Sequence, residues 1–282
     1  MYSYMDELKR KFLMFMRLLT TPVRILPDFI IIGAQKSGTT TLYNNLIRHP
    51  QVVQALRKEI HFFDIHYKKG ITWYQAHFPS FLYKIYLKQI YRKKIIAGEA
   101  TPYYIFHPLS PERIFKTVPR VKLIVLLRNP VDRAYSHYQL SVRLGHENLS
   151  FEDAIQHEME RLNSEGEKIY NNRNYYSFNH QHFSYLSRGC YMEQLRKWYH
   201  YFSREQILIL KSEDFYLDPS SVFKQVYYFL NLPDMKLKDH KKYNISDYGK
   251  MDPVTRRQLV KYYEPYNQEL YDYLGINFHW NK

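Results

Sequence analysis

Apolar runs along the chain mark the strands of a predicted β-sheet. Three of them, at 29–33, 121–127 and 206–210, are almost continuously apolar, which is typical of strands buried on both faces of a parallel sheet. Shorter apolar runs at 52–53 and 95–97 predict two further strands.

Helices are predicted between these strands, where apolar residues recur at intervals of three and four. The predicted helices are 39–48, 72–91, 111–117, 131–143, 151–164, 189–201, 219–230 and 253–272. The polar segment 165–183 predicts a long loop, and so does 233–250. Alternating strands and helices predict an α/β fold, an open parallel sheet with helices on both faces, in a single domain at 27–282. Residues 1–26 form a basic, amphipathic helical segment ahead of this domain.

The first strand ends in a loop that resembles a phosphate-binding loop. Gly33 is followed by Gln35, Lys36 and Ser37, then by Gly38 and the hydroxyls of Thr39 and Thr40 at the start of a predicted helix. Backbone N–H groups in such a loop, together with the helix dipole, favour a bound phosphate. A nucleoside triphosphatase loop carries its lysine directly after the second glycine, but Thr39 occupies that position here. The displaced lysine argues against a nucleotide kinase or GTPase.

A second basic position follows the strand at 121–127. Arg128 stands at the carboxyl end of this strand, and Ser136 lies on the helix that follows. Ligands of open parallel sheets bind at these strand ends, so both side chains could hold a second phosphate. The alternative is a surface pair between Arg128 and Asp132 with Ser136 in solvent.

Several blocks in order resemble the sulfotransferase family, and heparan sulfate O- and N-sulfotransferases and their bacterial relatives in particular. Gln35-Lys-Ser-Gly-Thr-Thr40 resembles the 5′-phosphosulfate loop of the family, and Arg128-Asn-Pro-x-x-Arg-Ala-x-Ser136 resembles its 3′-phosphate site. Further similar blocks are Lys58–Asp64, Gly98–Tyr104, Ser187–Trp198, Ser212–Pro219, Met251–Arg256 and Tyr263–Asn267. The resemblance extends from about residue 28 to the carboxyl terminus.

This resemblance implies the donor and its ligands. The donor would be 3′-phosphoadenosine 5′-phosphosulfate (PAPS), leaving 3′-phosphoadenosine 5′-phosphate (PAP) as product, with no metal required. The residues expected to bind it are Gln35, Lys36, Ser37, Gly38, Thr39, Thr40, Arg128, Ser136, Tyr191 and Tyr243. Lys36 is also expected to act catalytically, by stabilising the leaving phosphate.

Glu59 is the predicted general base, and His61 is the competing candidate. In an extended segment both side chains would point to one face and line one cleft. The apolar neighbours Ile60 and Phe62 predict that the pKa of Glu59 is raised toward working pH. The alternatives are an ion pair of Glu59 with Lys58 or Arg57, and a hydrogen-bonded core role for His61.

The chain departs from the heparan 3-O-sulfotransferase pattern in two places. Ala100 stands where those enzymes carry an active-site lysine, so either Lys36 acts alone or Arg57 or Lys58 compensates. Residues 241–250 replace a longer, cysteine-closed loop, and Lys242, Tyr243 or Tyr248 is expected to reach the nucleotide.

The composition of the chain limits the classes of molecule that it is expected to bind. A net charge of +14 favours acidic partners, but the basic residues are spread along the chain, which argues against nucleic acid. The single cysteine, Cys190, is predicted to be a buried thiol and fits a reducing compartment. Because the animal members of the resembled family commonly carry disulfides, the resemblance implies a cytoplasmic, bacterial relative. The 13 histidines show no metal-ligand spacing. Residues 1–20 predict a helix packed on the domain, or else peripheral contact with a membrane, and lack the features of a secretory signal.

The function predicted from the sequence is therefore transfer of a sulfuryl group from PAPS to a hydroxyl or amine, most plausibly of a saccharide. Within this class the acceptor could instead be a lipid or another small molecule. The alternatives outside it are a nucleotide kinase and a non-catalytic binding module. The sequence does not predict an oligomeric state.

Overall fold

Five parallel strands form one sheet at the centre of the computed structural model, which describes residues 4–235 and 248–280. The strands are β1 Phe29–Gly33, β2 Val52–Gln54, β3 Ile96–Ala100, β4 Lys122–Leu127 and β5 Ile207–Lys211. They are arranged in the order β2-β3-β1-β4-β5. The chain therefore crosses from one side of β1 to the other between β3 and β4, and the carboxyl ends of β1 and β4 meet at the crevice where ligands of such sheets bind.

Helices cover both faces of the sheet. They are α1 Tyr4–Leu19, α2 Thr39–Leu46, α3 Gly70–Gln75, α4 Phe81–Tyr91, α5 Ser110–Thr117, α6 Pro130–Arg143, α7 Phe151–Gln156, α8 Glu158–Leu162, α9 Glu165–Asn171, α10 Phe178–His182, α11 Tyr191–Tyr199, α12 Ser212–Leu217, α13 Pro219–Leu230 and α14 Pro253–Leu274. Alternate residues of each central strand enter two different cores: Ile30 and Ile32 one, Phe29 and Ile31 the other. The predicted α/β architecture with helices on both faces is confirmed.

Three predicted segments differ from the structure. The single helix at 72–91 is two helices, because Pro79 interrupts the chain and the Ser80 side chain accepts a hydrogen bond from the N–H of Tyr83 at the start of α4. The helix at 151–164 is likewise divided into α7 and α8.

The predicted loop at 165–183 was also wrong, since it contains α9 and α10. Glu165 is buried and accepts hydrogen bonds from Tyr175 and Ser177, so polar contacts replace the apolar face that would have identified these helices. Ser177 also caps α10 through the N–H of His180, at 3.0 Å. Only residues 233–235 and 248–250 of the second predicted loop fall in the described ranges, and they form neither helix nor strand.

Candidate active site

The phosphate loop, residues 33–40, joins β1 to α2 as predicted. Gly38 has a φ of 95°, and a Cβ placed there would lie 2.7 Å from the hydroxyl of Tyr216, so glycine is required for both conformation and space. Gly38 precedes the first turn of α2, whose N–H groups have no acceptor within the helix. The hydroxyl of Ser37 is buried without a hydrogen-bond partner among the described residues. These features fit a loop whose remaining partners belong to a bound anion.

Lys36 lies at the crown of this loop, partly buried, with a φ of 70°. Burial, together with the positive charges of Arg143 and Arg128, lowers the pKa of Lys36 to about 8. Three cations near one another repel in the free protein, and a phosphate placed among them would relieve that repulsion. The electrostatics of the loop therefore favour an anion.

Arg128 reaches the loop directly. Its Nη1 donates to the backbone carbonyl of Lys36 at 3.1 Å. The alternative surface pair is not formed, because Asp132 instead accepts from Nη1 of Arg256 at 2.6 Å. The structure thus brings together the two basic positions that the sequence assigned to the two ends of one nucleotide.

Helix α12, which the sequence did not predict, supports both positions. The hydroxyl of Ser212 donates to the carbonyl of Ser37 at 2.8 Å, and Glu213 accepts from the N–H of Asn129, the residue after Arg128, also at 2.8 Å. Its only sequence signal was the family block at Ser212–Pro219.

The remaining predicted nucleotide ligands are placed differently. Tyr191 is buried, and its hydroxyl donates to the carbonyl of Arg128 at 2.7 Å, so it holds the backbone of that residue. Ser136 is buried on α6, and Thr39 and Thr40 lie in the first turn of α2. Tyr243 and Lys242 lie outside the described residues, whereas the ring of Tyr248 contacts that of Tyr135 on α6.

The second part of the site is the Glu59 turn, residues 59–64. Glu59 and His61 both have positive φ values, 58° and 56°, so the segment is a tight turn rather than the extended segment that was predicted. The turn is held from outside: the N–H of Glu59 donates to the carbonyl of Ala100 at 3.0 Å, and that of Phe62 donates to the hydroxyl of Tyr104 at 2.9 Å. Contacts distant in sequence therefore impose a backbone that non-glycine residues rarely adopt.

The charges in this turn form a chain. Nε2 of His61 lies 3.7 Å from Oε2 of Glu59, and its Nδ1 lies 2.7 Å from Oδ2 of Asp64. Lys58 donates to Glu59 from the other side. Asp64, whose side chain is fully buried, was not among the predicted site residues, although its spacing of three from His61 was visible in the sequence.

These neighbours decide the pKa values. Burial by itself would lower the pKa of His61, but the carboxylates of Asp64 and Glu59 outweigh burial and raise it to about 10. Burial would raise the pKa of Glu59, but its ion pairs with His61 and Lys58 lower it to about 2. The raised pKa predicted for Glu59 is thus wrong, because the local ion pairs outweigh the apolar neighbours. At neutral pH the turn holds an anionic Glu59 beside a protonated His61.

The two parts meet in one cleft of about 180 Å³. Gln35 of the phosphate loop, and Glu59 and His61 of the turn, line it together with His137, Gln181, His182 and other residues. Glu59 and His61 therefore do share a cleft, as predicted. The segment 165–183 also reaches the cleft through Gln181 and His182, although it is helical.

Arg188 lies in the block Ser187–Trp198 that resembles the family, but it was not among the predicted site residues. It is buried in the wall of the cleft, donates to the side-chain oxygen of Gln35, and donates to the carbonyls of His180 and Gln181. Its guanidinium carbon also lies 4.7 Å from the ring centroid of Tyr103. Arg188 thereby fixes the phosphate loop to the α10 segment.

The structure places Ala100, which stands where the heparan 3-O-sulfotransferases carry an active-site lysine, and the two residues expected to compensate for that lysine. Ala100 is buried at the end of β3, and Lys58, one of the two residues expected to compensate, contacts Glu59. The other, Arg57, donates to the carbonyl of Ile60 at 3.1 Å and lies over the ring of Trp73. Lys58 is therefore the nearer of the two to the carboxylate of Glu59.

Three further features are the cysteine, possible metal ligands and possible membrane-spanning helices. Cys190 is buried, in agreement with the buried thiol predicted, and burial raises the pKa of this thiol to about 12. Within residues 4–235 and 248–280 there is no group of three acidic, histidine or cysteine side chains arranged to hold a metal ion. Over the same ranges, no helix combines the length and the apolar character needed to span a bilayer.

Comparison with known proteins identifies relatives that are similar over most of this chain. The chain is 29% identical to "Membrane-associated sulfotransferase kil1" of Dictyostelium discoideum, over 90% of this chain and 66% of that protein. It is 29% identical to "Heparan sulfate glucosamine 3-O-sulfotransferase 5" of Mus musculus, over 92% of this chain and 75% of that protein. It is 26% identical to "Bifunctional heparan sulfate N-deacetylase/N-sulfotransferase 1" of Caenorhabditis elegans, over 89% of this chain but only 30% of that protein.

A solved structure and a family model agree with these relatives. The crystal structure of a sulfotransferase from Alicyclobacillus acidocaldarius superimposes with a TM-score of 0.70 at 28% identity, covering 92% of this chain and all of the other. The family model of the sulfotransferase domain matches residues 26–270, which include the phosphate loop, the Glu59 turn and Arg128. The chain therefore belongs to the sulfotransferase family.

Proposed function

We propose that this sulfotransferase moves the sulfuryl group of PAPS to a hydroxyl or amine of a saccharide, with Glu59 as the general base. This proposal rests on one observation: the phosphate loop and the Glu59 turn border the same cleft. Arg128 contacts the backbone of Lys36, and the neighbouring Gln35 lines the same cleft as Glu59 and His61. A donor held by the loop would thus present its reactive end to the carboxylate.

The phosphate loop would hold the 5′-phosphosulfate of the donor. The N-terminus of α2, the unpartnered hydroxyl of Ser37 and the cation of Lys36 are suited to its oxygens. Arg128 would hold the 3′-phosphate, which ADP and ATP lack. Lys36 would also stabilise the charge that develops on the leaving phosphate, a role for which preorganised cations are effective in a site shielded from water.

The turn would remove the acceptor proton. The acceptor oxygen or nitrogen forms its bond to sulfur as the sulfur–oxygen bond to the 5′-phosphate breaks, leaving the electron pair on the phosphate. The acceptor proton passes to the carboxylate of Glu59. The low pKa of Glu59 keeps it ionised, and the high pKa of His61 keeps the imidazole protonated at neutral pH, which supports Glu59 rather than His61 as the base. Protonated His61 would orient Glu59, and Asp64 would orient His61. No step in this scheme requires a metal.

A saccharide acceptor is supported by three observations. Relatives similar over most of the chain are named for heparan sulfate. The chain carries a net charge of +14, and the cleft is lined by His137, Gln181 and His182, whose polar groups can hydrogen bond to hydroxyls.

Calorimetry with PAP, ADP and ATP tests the donor site. We expect PAP to bind roughly 10- to 150-fold more tightly than ADP, because a charge-assisted contact of Arg128 to the 3′-phosphate contributes about 1.5–3 kcal/mol. This preference should disappear in Arg128→Ala. The matched control is Arg120→Ala, which removes an exposed arginine at the opposite end of the same strand. Equal affinity of the unmodified protein for PAP and ADP would contradict the assignment.

Transfer from labelled donor tests the acceptor. We expect label in heparan-type oligosaccharides, and no label in sterols or simple phenols presented at the same concentration. Label that appears only in the sterols or phenols would replace the saccharide by a lipid or small molecule and leave the donor assignment intact.

A further inference from the structure

Helix α4 exposes an apolar surface that the catalytic site does not use. Eight of its eleven residues are apolar or aromatic, yet none of the eleven is buried. Leu82, Tyr86 and Ile90 recur at intervals of four and therefore share one face of the helix. Apolar side chains exposed together on one helix face are typical of a surface that binds another molecule.

Helix α1 carries exposed apolar side chains as well. Phe12, Phe15 and Leu19 also follow helical spacing, and no residue from 11 to 19 is buried. These three side chains and the three on α4 are each between 54% and 67% exposed. We call them together the α1–α4 surface.

The two helices are tied to each other at one end. Arg17 of α1 donates to the carbonyls of Ala76 and Phe78 at 2.6 Å, and Arg24 donates to that of Phe78 at 2.8 Å. The chain then enters α4 at Phe81. The end of α1 and the beginning of α4 are therefore neighbours through buried or partly buried contacts distant in sequence, which makes the α1–α4 surface part of the fold.

Positive charges predominate around this surface, although Asp6 and Glu7 stand in the sequence of α1 and Asp28 pairs with Lys84 of α4. Residues 8–27 and 76–98 contain no aspartate or glutamate, whereas lysines and arginines recur through both stretches. Lys88 lies on α4, and Arg92, Lys93 and Lys94 follow it directly, all of them exposed. Apolar side chains rimmed by cations are the combination that binds the interface of an anionic bilayer.

We propose that the α1–α4 surface docks on a membrane that carries anionic lipid headgroups. A second copy of the chain fits less well, because it would bring two surfaces of the same charge together in a protein whose net charge is already +14. The proposal is independent of the donor and the acceptor.

The location of α4 also determines how the active-site cleft would be oriented relative to the bilayer. Lys84 of α4 contacts Asp28, at the amino end of β1, at 3.1 Å, whereas the phosphate loop begins at the carboxyl end of that strand. A strand of this length separates the two by roughly 15 Å. The docked enzyme would hold its cleft away from the bilayer, toward acceptors in solution or projecting from other molecules.

Co-sedimentation with lipid vesicles tests the proposal on the full chain. We expect the protein to pellet with vesicles containing about one third phosphatidylserine, and not with pure phosphatidylcholine, at low salt. The double variant Leu82→Glu, Ile90→Glu should reduce the bound fraction by about tenfold or more, because each glutamate would enter the headgroup boundary of an anionic surface. Lys88→Glu with Lys93→Glu should remove the preference for anionic lipid. The matched control Met159→Glu, at an apolar residue 86% exposed on α8, should bind like the unmodified protein.

Two results would overturn the proposal. One is an unmodified protein that stays in the supernatant with anionic vesicles at low salt. The other is a dimer in sedimentation velocity that Leu82→Glu, Ile90→Glu converts to a monomer, with vesicle binding unchanged, which would assign the surface to self-association. Circular dichroism and PAP affinity establish that each variant is folded, and neither readout depends on the acceptor.

Discussion

The phosphate loop and the Glu59 turn reach the same cleft by opposite means. The loop consists of residues adjacent in sequence, and its conformation depends on glycine at position 38, where a side chain has neither room nor a favourable φ. The turn places two non-glycine residues at positive φ and is fixed by partners forty or so residues later in the chain, Ala100 and Tyr104.

This difference explains why one region could be recognised from its own residues and the other only partly. An anion is bound largely by backbone N–H groups and a helix terminus, which a short local pattern specifies. The ionisation of Glu59 depends on where Lys58 and His61 direct their charges, and this depends on a backbone imposed from elsewhere. Changing single residues in each region should therefore separate binding from turnover.

The largest expected effect is that of Glu59→Gln. Removing the proposed proton acceptor should lower turnover by about 10²–10⁴-fold, because that is the usual contribution of a positioned base. PAP affinity, measured by calorimetry, should be unchanged, since the phosphate loop is intact. Glu205→Gln, at an exposed glutamate before β5, is the control. Turnover near that of the unmodified enzyme would remove Glu59 from the mechanism.

Gly38→Ala should instead weaken the binding of PAP. The new methyl group would meet the hydroxyl of Tyr216 and force a φ of 95° on a residue with a side chain. Backbone strain of about 1–3 kcal/mol predicts PAP binding weakened by roughly 5- to 150-fold. Gly166→Ala is the matched control, because a Cβ at that position meets nothing within 4 Å. Unchanged PAP affinity in Gly38→Ala would show that the loop conformation is not needed for binding.

A smaller effect is expected for Asp64→Asn. Asp64 does not line the cleft and should act by orienting His61, so a loss of roughly tenfold in kcat is expected, typical of a supporting residue. The pKa of His61 should fall from about 10, because its strongest anionic partner is removed. Since protonated His61 supports the turn, the alkaline limb of the pH–rate profile should move to lower pH. NMR titration of His61 measures the shift directly, and a limb that stays in place would mean that His61 protonation is not required.

The smallest effect on turnover is expected for a substitution of Glu99, which supports the Glu59 turn indirectly through Tyr104. Glu99 is fully buried and accepts hydrogen bonds from Tyr74, Thr101 and Tyr104, and the last of these holds the N–H of Phe62. Burial raises the pKa of Glu99 to about 7, so the folded state binds its proton more tightly than the unfolded chain does.

The sign of the pH dependence follows from this raised pKa. The protonated folded form is favoured below the unfolded pKa, and the advantage is lost as pH rises through about 7. Glu99→Gln, which does not titrate, should lack this loss. The stability of the variant relative to the unmodified protein should therefore rise by up to about 3 kcal/mol between mildly acidic and mildly alkaline pH. Thermal unfolding at several pH values measures it, and parallel curves for the two proteins would contradict a titrating Glu99.

The sequence predicted the strands and most helices closely, and the reason is local. β1 matches its predicted range because an uninterrupted apolar run ending in glycine has few alternatives, and α13 matches because Asp218 and Pro219 define its start. The predictions were wrong at 165–183, where buried Glu165 organises polar helices. They were incomplete at 212–217, because α12 is short and carries no long apolar period.

The sequence alone determined the α/β fold, the phosphate loop with its displaced lysine, and the family to which the chain belongs. Each of these depends on short patterns formed by residues that are close together in the sequence. Only the tertiary structure decided the ionisation of Glu59, the support of His61 by Asp64, the contact of Arg128 with Lys36, and the exposure of α4. These depend on distances between segments far apart in the chain. Electrostatic interactions and burial change steeply with such distances, and the order of residues does not specify them.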